Sequence, residues 1–386
     1  MTKNELWDLQ KKSLRNPREI WTCSDQSAGI QPNSLKYSAN KKFIELLANL
    51  KLTLFISREY ENLLISIYSD GDKIIQRYTA IAHPSGIACD RRNKLMYVAS
   101  TRNPNVIYQF RPCEKNLIHR SREAILDEKP MVVSRKKFYP GLYYFHDLAL
   151  ISGELFGNTV GMNGVIKIDM NNPNPESILW CPKCTEDPSG NPMTGANYIQ
   201  LNSIAAGDSI EESFFSASAD KISKRRPGHL NYPVNRRGVI ISGKTRNTIA
   251  GGLTRPHSAR LSNGKIWVAN SGYGEFGYID DSSFQPIIKL NGWTRGVCLY
   301  KNVAFVATSR VIPQYRHYAP GLDGVKDQCG LHAISLSTGN IIGSINWSYG
   351  NQVFAIDYFP KKHTVGFLNK KTNDNIAKEI RIAYNH

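Results

Sequence analysis

The stretch RPHSARLSNGKIWVANSGYGEFGYID (Arg255–Asp280) contains three short apolar runs that are separated by two turns. The first turn carries Asn263-Gly264, and the second is the glycine-rich SGYG. Short runs of β-forming residues joined by such turns predict antiparallel strands. The stretch therefore predicts a small sheet whose first strand begins beside a histidine, His257.

Units of the same kind, each with a run, a polar turn and a second run, recur along the chain. They begin at His83, Phe145, Leu201, Pro256, Thr294 and Val353. A repeat of roughly 40 to 60 residues that contains strands and no helical periodicity indicates a β-propeller. Upstream of these units, TLFIS, NLLISIYS and KIIQRYTAIA predict three more strands, with a turn at Asp70-Gly71.

Six units predict an all-β fold, a six-bladed propeller. Seven blades are the alternative, because long loops follow Cys181 and Arg310. The three upstream strands have no inner strand of their own, so we expect them to complete the blade begun by the segment after Val353. This closure joins the two ends of the chain and removes free sheet edges. We predict one propeller domain over residues 51–386, after an N-terminal extension of residues 1–50 with a short helix at Lys41–Leu50.

The composition favours anionic partners. Lys and Arg number 49 against 32 acidic residues, and the formal net charge is +17. Such a field suits a small anionic molecule in an axial pocket or an acidic protein, whereas no aromatic stacking platform or nucleic-acid motif is present. No apolar run reaches the length of a membrane span. The seven irregularly spaced cysteines and the absence of an apolar leader predict a cytoplasmic protein with reduced thiols.

The first strand of each propeller blade lines the central channel, so residues at the starts of the six units are expected to converge. Three histidines are among them. Three neutral imidazoles with an open position form a known catalytic zinc arrangement. We therefore predict a divalent metal (zinc, iron or manganese) held by His83, His146 and His257, with Asn202 as a further ligand or orienting group.

Three other residues are candidate catalytic groups. Asp147 could orient a histidine or act as a general base. Arg295 could hold a carboxylate or a phosphate through its planar guanidinium group, and Tyr273 could project near the funnel. In the alternative interpretation, all these polar residues hydrogen-bond neighbouring blades and bind no metal.

Two further motifs are weaker indications of a function. Cys181 and Cys184 form one CxxC pair, but a zinc ribbon needs a second pair, which the sequence lacks. We expect reduced thiols in a loop; a structural zinc or a redox role is the alternative. The segment Gly272–Gly277 lies between two predicted strands and precedes no helix, so it indicates a tight turn rather than a phosphate-binding loop.

Several of these segments resemble an uncharacterised bacterial family, a domain of unknown function. The resemblance covers roughly residues 52–360. It is carried by TLFISREYENLLISIYSDGD, FHDLA, LNSIA, GGLTRPHSARLSNGKIWVANSGYGEFGYID and GWTRGVCLYKNVAFVATSRV. It implies a β-propeller and no established activity. This chain departs from the family pattern at Ile199-Gln200, where the family shows Cys-His, and at His83, where other members often carry a different polar residue.

The arrangement is also loosely similar to six-bladed propeller enzymes with axial sites. These include the peptidyl-hydroxyglycine amidating lyases, with zinc on three histidines, and the gluconolactonase and regucalcin-like enzymes, with a divalent ion on carboxylate and asparagine ligands. Together these observations predict an enzyme, a metal-assisted lyase, hydrolase or isomerase acting on a small anionic molecule. The alternative function is a non-catalytic scaffold whose basic face holds an acidic partner.

Overall fold

The computed structural model describes residues 31–102, 105–113, 117–119, 125–126, 129–324, 326–350, 352–367 and 380–382. The first 30 residues of the predicted extension lie outside this part. In the described ranges, no helix is long and apolar enough to cross a membrane.

Within the described residues, the strands form six sheets, the blades of the propeller, and one small additional sheet. The described part starts with a 3-10 turn at Pro32–Leu35, strand β1 (Tyr37–Ala39) and helix α1 (Lys41–Leu50). Blade one contains β2 (Leu52–Arg58), β3 (Leu63–Ser69) and β4 (Ile74–Ala80). Blade two contains β5 (Pro84–Asp90), β6 (Leu95–Ser100), β7 (Asn105–Pro112) and, after the short β8 (Leu117–His119) and β9 (Ile125–Leu126), β10 (Met131–Tyr139). Blade three contains β11 (Phe145–Ile151), β12 (Glu154–Thr159) and β13 (Gly164–Ile168).

The second half of the ring continues in the same order. Blade four contains β14 (Leu201–Ala205), β15 (Phe214–Ala217), β16 (Gly238–Ser242) and β17 (Thr248–Leu253). Blade five contains β18 (Pro256–Ser262), β19 (Lys265–Asn270), β20 (Glu275–Asp280) and β21 (Ser283–Lys289). Blade six contains β22 (Trp293–Tyr300), β23 (Val303–Ser309), β24 (Cys329–Ser335) and β25 (Ile341–Trp347). Strand β26 (Ala355–Pro360) returns to blade one, and β27 (Ile380–Ile382) pairs with β8. Further 3-10 turns lie at Lys183–Thr185, Ser271–Tyr273 and Pro313–Tyr318.

The inner strands β5, β11, β14, β18, β22 and β26 contact one another in succession, and β26 also contacts β5. The ring is therefore closed with six blades, which confirms the six-bladed prediction over the seven-bladed alternative. Closure occurs within blade one, where β26 pairs antiparallel with β2 from Leu52↔Pro360 to Ser57↔Ala355. The predicted joining of the two ends of the chain is thus confirmed.

Helix α1 matches the range predicted for it. Asn40 caps its start, because its side-chain oxygen accepts from the Phe43 amide at 2.9 Å, and Lys51 ends it in a left-handed conformation with φ 53°. Phe43 and Leu47 lie four residues apart, so they share one face, which is buried against blades one and six. Strand β1 extends blade six by pairing with β25.

A residue with a positive φ angle precedes most of the inner strands. His83, Tyr144, Gln200 and Arg255 have φ between 45° and 55°, and Gly292 has φ 144°. Each stands immediately before an inner strand. Asparagine side chains stabilise three of these turns by accepting from the turn residue's amide, namely Asn62 for His83, Asn105 for Tyr144 and Asn197 for Gln200.

A register shift follows within the first residues of the strand in five inner strands: β5, β11, β14, β18 and β22. Such bulges redirect side chains and are common beside functional sites. The positive-φ residue and the bulge together determine which side chains reach the mouth of the channel.

Candidate functional site

One end of the central channel opens into a cavity of about 540 Å³, here called the funnel pocket. Residues at or just before the starts of β11, β14, β18, β22 and β26 line it, together with two long loops. The basic loop (residues 218–237) belongs to blade four, and the aromatic loop (residues 310–328) belongs to blade six. The lining contains four arginines, one carboxylate and six aromatic residues: Arg102, Arg226, Arg255, Arg295, Glu59, Tyr60, Tyr144, Trp293, Tyr315, Tyr318 and Phe354.

Arg295, the third residue of β22, lies at the floor of the funnel pocket and is buried. Its Nη2 donates to His257 Nε2 at 2.8 Å. Its Nη1 faces the Gln352 amide, whose oxygen accepts from it when the amide nitrogen is assigned to the side facing Glu59. The guanidinium carbon lies 4.3 Å from the ring centre of Phe354 and 4.9 Å from that of Trp293. Neutral acceptors and aromatic faces therefore hold this charge in place.

Arg255, the positive-φ residue before β18, is the second buried arginine of the pocket. Its Nη1 donates to the side-chain oxygen of Gln200 and to the Pro227 carbonyl at 3.3 Å. The Tyr318 ring stacks on the guanidinium at 3.9 Å. A cation–π contact in a desolvated site contributes about 2 kcal/mol. This contact therefore stabilises the Arg255 charge, as the carboxylate of an ion pair would otherwise do.

Neither buried arginine has a carboxylate at ion-pair distance among the described residues. Burial lowers the pKa of each guanidinium to about 10, and the Arg295 charge further lowers that of Arg255. Both groups stay charged at neutral pH. Two buried like charges on one cavity raise the free energy of the empty pocket, and an anion between them would lower it.

The one carboxylate of the lining, Glu59, is already engaged. Its Oε1 forms an ion pair with Arg102 Nε at 2.8 Å, and its Oε2 accepts from the Gln352 amide at 2.8 Å. Arg102 also donates to the Tyr60 hydroxyl at 3.1 Å. Glu59 therefore balances Arg102, and its charge also raises the pKa of Arg295 against the larger lowering effect of burial.

His146 and His257 lie side by side, with ring centres 5.8 Å apart, and both face the Phe354 ring edge-on. Burial, followed by the Arg295 charge, holds the pKa of both imidazoles well below the usual value. Because a guanidinium can only donate, His257 Nε2 must accept from Arg295, which places the proton of the neutral ring on Nδ1. His146 lines the pocket as a neutral base.

The neutral state of these histidines predicts a pH-dependent stability. In the unfolded chain they titrate near pH 6.5, so below that pH the unfolded state binds protons that the folded state excludes. The free energy of unfolding then falls as pH falls, by up to about 1.4 kcal/mol per pH unit for each histidine. Urea unfolding between pH 7 and pH 5 gives the free energy of unfolding as a function of pH. In a His146→Gln/His257→Gln variant this free energy should change less steeply with pH than in the wild type, by up to about 2.7 kcal/mol per pH unit. Parallel slopes for the two proteins would contradict this assignment.

The structure does not assemble the predicted metal site. No group of three or more His, Cys, Asp or Glu side chains in the described part could hold a metal ion. His83 stands before β5, at the position that Tyr144 and Arg255 occupy in other blades, whereas His146 and His257 are the second residues of their strands. The residue of blade two that matches those two histidines is a serine, Ser85. The surroundings of the two histidines also do not suit a metal cation. Charged guanidinium groups lie beside them, and the Nε2 atom of His257 already accepts from Arg295.

Asp147 and Asn202 connect blades. The Asp147 carboxylate accepts from Arg260 at 2.7 and 3.1 Å and from the amides of Leu148 and Ile204 at 3.1 and 3.0 Å. Its acceptor positions are filled, and no histidine is among its hydrogen-bond partners, so these contacts give it a structural role instead of that of a base. Asn202 donates to Ser218 Oγ at 3.1 Å and to the Pro256 carbonyl at 2.9 Å.

Tyr273, predicted near the funnel, is outside the residues that line the funnel pocket. Its hydroxyl donates to Asn235 at 2.9 Å at the protein surface. Cys181 and Cys184 are both free thiols, and burial raises the pKa of each. Cys181 lies beside Arg246 and Glu186.

Sequence reasoning missed Arg255, Gln200 and Tyr144, which share one position before three inner strands, and the loop residues Tyr315 and Tyr318. An alignment of the six units on the residue before each inner strand would have placed Arg255, Gln200 and Tyr144 in the same column. The loop residues have no periodic signal, since the aromatic loop belongs to no repeat.

The chain belongs to the family described as domain of unknown function (DUF4915), whose profile matches residues 41–368. This confirms the predicted membership of an uncharacterised propeller family. No curated protein sequence matches the chain.

Several solved structures are similar in fold. A chain of a nidogen/laminin complex is 8% identical, with a TM-score of 0.52 over 80% of this chain and 98% of that one. A gluconolactonase from Xanthomonas campestris is 11% identical, with a TM-score of 0.43 over 69% and 77% of the two chains. The Cps50 (Swd1) β-propeller domain of Myceliophteria thermophila is 11% identical, with a TM-score of 0.40 over 78% and 97%. At these identities the likeness concerns the fold alone. The cytoplasmic location and the acidic partner stay predictions.

Proposed function

We propose that this protein binds a small organic anion, a carboxylate or a phosphate, in the funnel pocket and removes a proton from it. The observation that carries the proposal is the pair of buried guanidinium groups, Arg255 and Arg295, that face one cavity without a carboxylate partner among the described residues. A non-catalytic scaffold has no need of two buried charges beneath its surface.

Unused donors support the same conclusion. Arg295 Nε and Trp293 Nε1 are buried and have no hydrogen-bond acceptor in the described part of the chain. A buried donor without a partner costs about 1–3 kcal/mol, and an anionic oxygen in the pocket would satisfy one or both. The rings of Tyr60, Tyr315 and Phe354 provide apolar surface for the organic part of the ligand.

His146 supplies the proton acceptor. A general base must be unprotonated at the working pH, and His146 meets this condition because burial lowers its pKa, although the same shift makes the ring a weaker base. The positive charge of Arg295 acts on the same ring, and it would also stabilise negative charge that develops on the ligand. Lyase and isomerase reactions can begin with such a proton removal, whereas a hydrolase would use the same base on an attacking water molecule.

Thermal unfolding with a panel of organic anions tests the binding step. At 100 times its dissociation constant a ligand adds about 2.7 kcal/mol to the free energy of unfolding, which corresponds to a rise of roughly 4 °C in Tm for a chain of this size. We expect benzoate and at least one other carboxylate or organic phosphate to raise Tm in this way at constant ionic strength.

Two controls make the test specific. Benzamide has the shape of benzoate without the charge and should leave Tm unchanged, as should sodium chloride at matched ionic strength. If neutral and anionic compounds shift Tm equally, or if no anion shifts it, the proposed function is wrong.

A further inference from the structure

The basic loop carries a charge that the funnel pocket does not account for. All six of its basic side chains are exposed: Lys221, Lys224, Arg225, Arg226, Arg236 and Arg237. None of them forms an ion pair with a described residue. Six like charges within 17 residues repel one another, so the loop gains stability when an anion lies against it.

Part of this loop forms a second cavity, here called the outer pocket, of about 330 Å³. Four basic residues line it, Lys221, Lys224, Arg225 and Arg237, against one acid, Asp220. Its polar donors are charged and exposed, unlike the buried arginines of the funnel pocket. The outer pocket therefore suits an anionic group that stays partly hydrated.

Neighbouring residues of the basic loop line the two pockets. Arg225 lines the outer pocket, and the next residue, Arg226, lines the funnel pocket. The Pro227 carbonyl accepts from Arg255, which fixes the loop to the floor of the funnel. Tyr232 lines the outer pocket. Burial raises the pKa of its hydroxyl, while the charges of Arg237 and Arg255 lower it.

We propose that the ligand of the funnel pocket carries a second anionic group, a carboxylate or a phosphate, which the outer pocket holds. The ligand class is then a molecule with two anionic groups joined by a short organic spacer, and not a simple monoanion. This inference rests on the proposed function, because the first anionic group occupies the site between Arg255 and Arg295.

A series of α,ω-dicarboxylates of increasing length, each compared with the monocarboxylate of equal length, tests the inference by isothermal titration. We expect one spacer length at which the dicarboxylate binds at least ten times more tightly than its monocarboxylate. In a Lys224→Ala/Arg225→Ala variant that advantage should disappear, while monocarboxylate affinity stays within twofold of the wild type. Both positions are exposed, so this variant should fold.

A Lys41→Ala/Lys42→Ala variant is the matched control, because it also removes two exposed positive charges, from helix α1 at the outer edge of blade six. It should keep the full dicarboxylate advantage. If monocarboxylates bind and no dicarboxylate binds better at any length, the outer pocket is not a ligand subsite, whereas the proposed function stands. If no carboxylate of either kind and no organic phosphate binds, both proposals fail. An advantage that Lys224→Ala/Arg225→Ala leaves intact also overturns the inference.

Discussion

Replacement of Asp147 by asparagine is expected to lower the free energy of unfolding by about 3–5 kcal/mol. The carboxylate of Asp147 lies on β11 in blade three, and it accepts two hydrogen bonds from Arg260 on β18 in blade five and one from the Ile204 amide on β14 in blade four. An amide cannot balance the charge of Arg260, whose side chain is 20% exposed and then keeps no ion pair among the described residues, only the weaker influence of Asp357. The NH₂ group of the amide would also face donors. Urea unfolding at pH 7 measures the loss.

Two further variants separate this effect from a general loss of charge. Glu154 pairs with Lys167 where both side chains are about half exposed, at 53% and 49%, so Glu154→Gln should cost at most about 1 kcal/mol. An Asp147→Asn/Arg260→Met variant removes both charges and should be more stable than Asp147→Asn alone. A loss in Asp147→Asn no larger than that in Glu154→Gln would contradict the structural role of Asp147.

The sequence predicted the architecture well, because each blade of a propeller leaves a recognisable repeat of strand and turn residues in the sequence. The six units, the closure of the ring by β26 and the helix at Lys41–Leu50 all follow from local patterns of apolar residues, turn residues and capping. Each of these patterns extends over only a few neighbouring residues. Alternation and turn chemistry report such short-range structure directly.

The site was predicted only in part, because its geometry depends on features that those patterns do not contain. Arg295, His146 and His257 were identified, and the structure brings all three together at the channel mouth. The register of the histidines was misread, since His83 stands in the turn before β5 while the other two follow the first residue of a bulged strand. A shift of two residues moves a side chain out of an equivalent position, even in a well-recognised repeat.

Arg255 is a site residue that the local sequence patterns did not identify. It is the first residue of the stretch that reveals the blade, but it precedes the strand, and its positive φ turns it into the pocket. Nothing in the apolar pattern reports that backbone conformation for a non-glycine residue. The stacking of Tyr318 on Arg255 is still less accessible from the sequence, because it depends on how an irregular loop of blade six crosses the funnel.

Loss of the Arg295 charge is expected to have the largest effect on ligand binding. Arg295→Gln removes a buried cation from the floor of the pocket and leaves the anion with fewer donors. Truncation of one partner of a buried charged contact costs about 2–5 kcal/mol, so the affinity for an anion should fall by roughly 30-fold or more. Arg295→Lys keeps the charge without the planar fork, and its affinity should be intermediate.

Arg111→Gln provides the control for this variant, because it removes one exposed positive charge from β7 in blade two. It changes the net charge of the protein as Arg295→Gln does, but at a distance from the funnel lining. Its anion affinity should match that of the wild type at physiological ionic strength. A similar loss in both variants would mean that the general field of the protein, and not Arg295, attracts the anion.

The most direct test of the funnel pocket as an anion-binding site is a titration by calorimetry. The wild type and Arg295→Gln are each titrated with the organic anion that raises Tm most. We expect binding of one equivalent to the wild type and an affinity lower by roughly 30-fold or more in Arg295→Gln. Equal affinity in the two proteins would place the anion elsewhere and contradict the account of the funnel pocket.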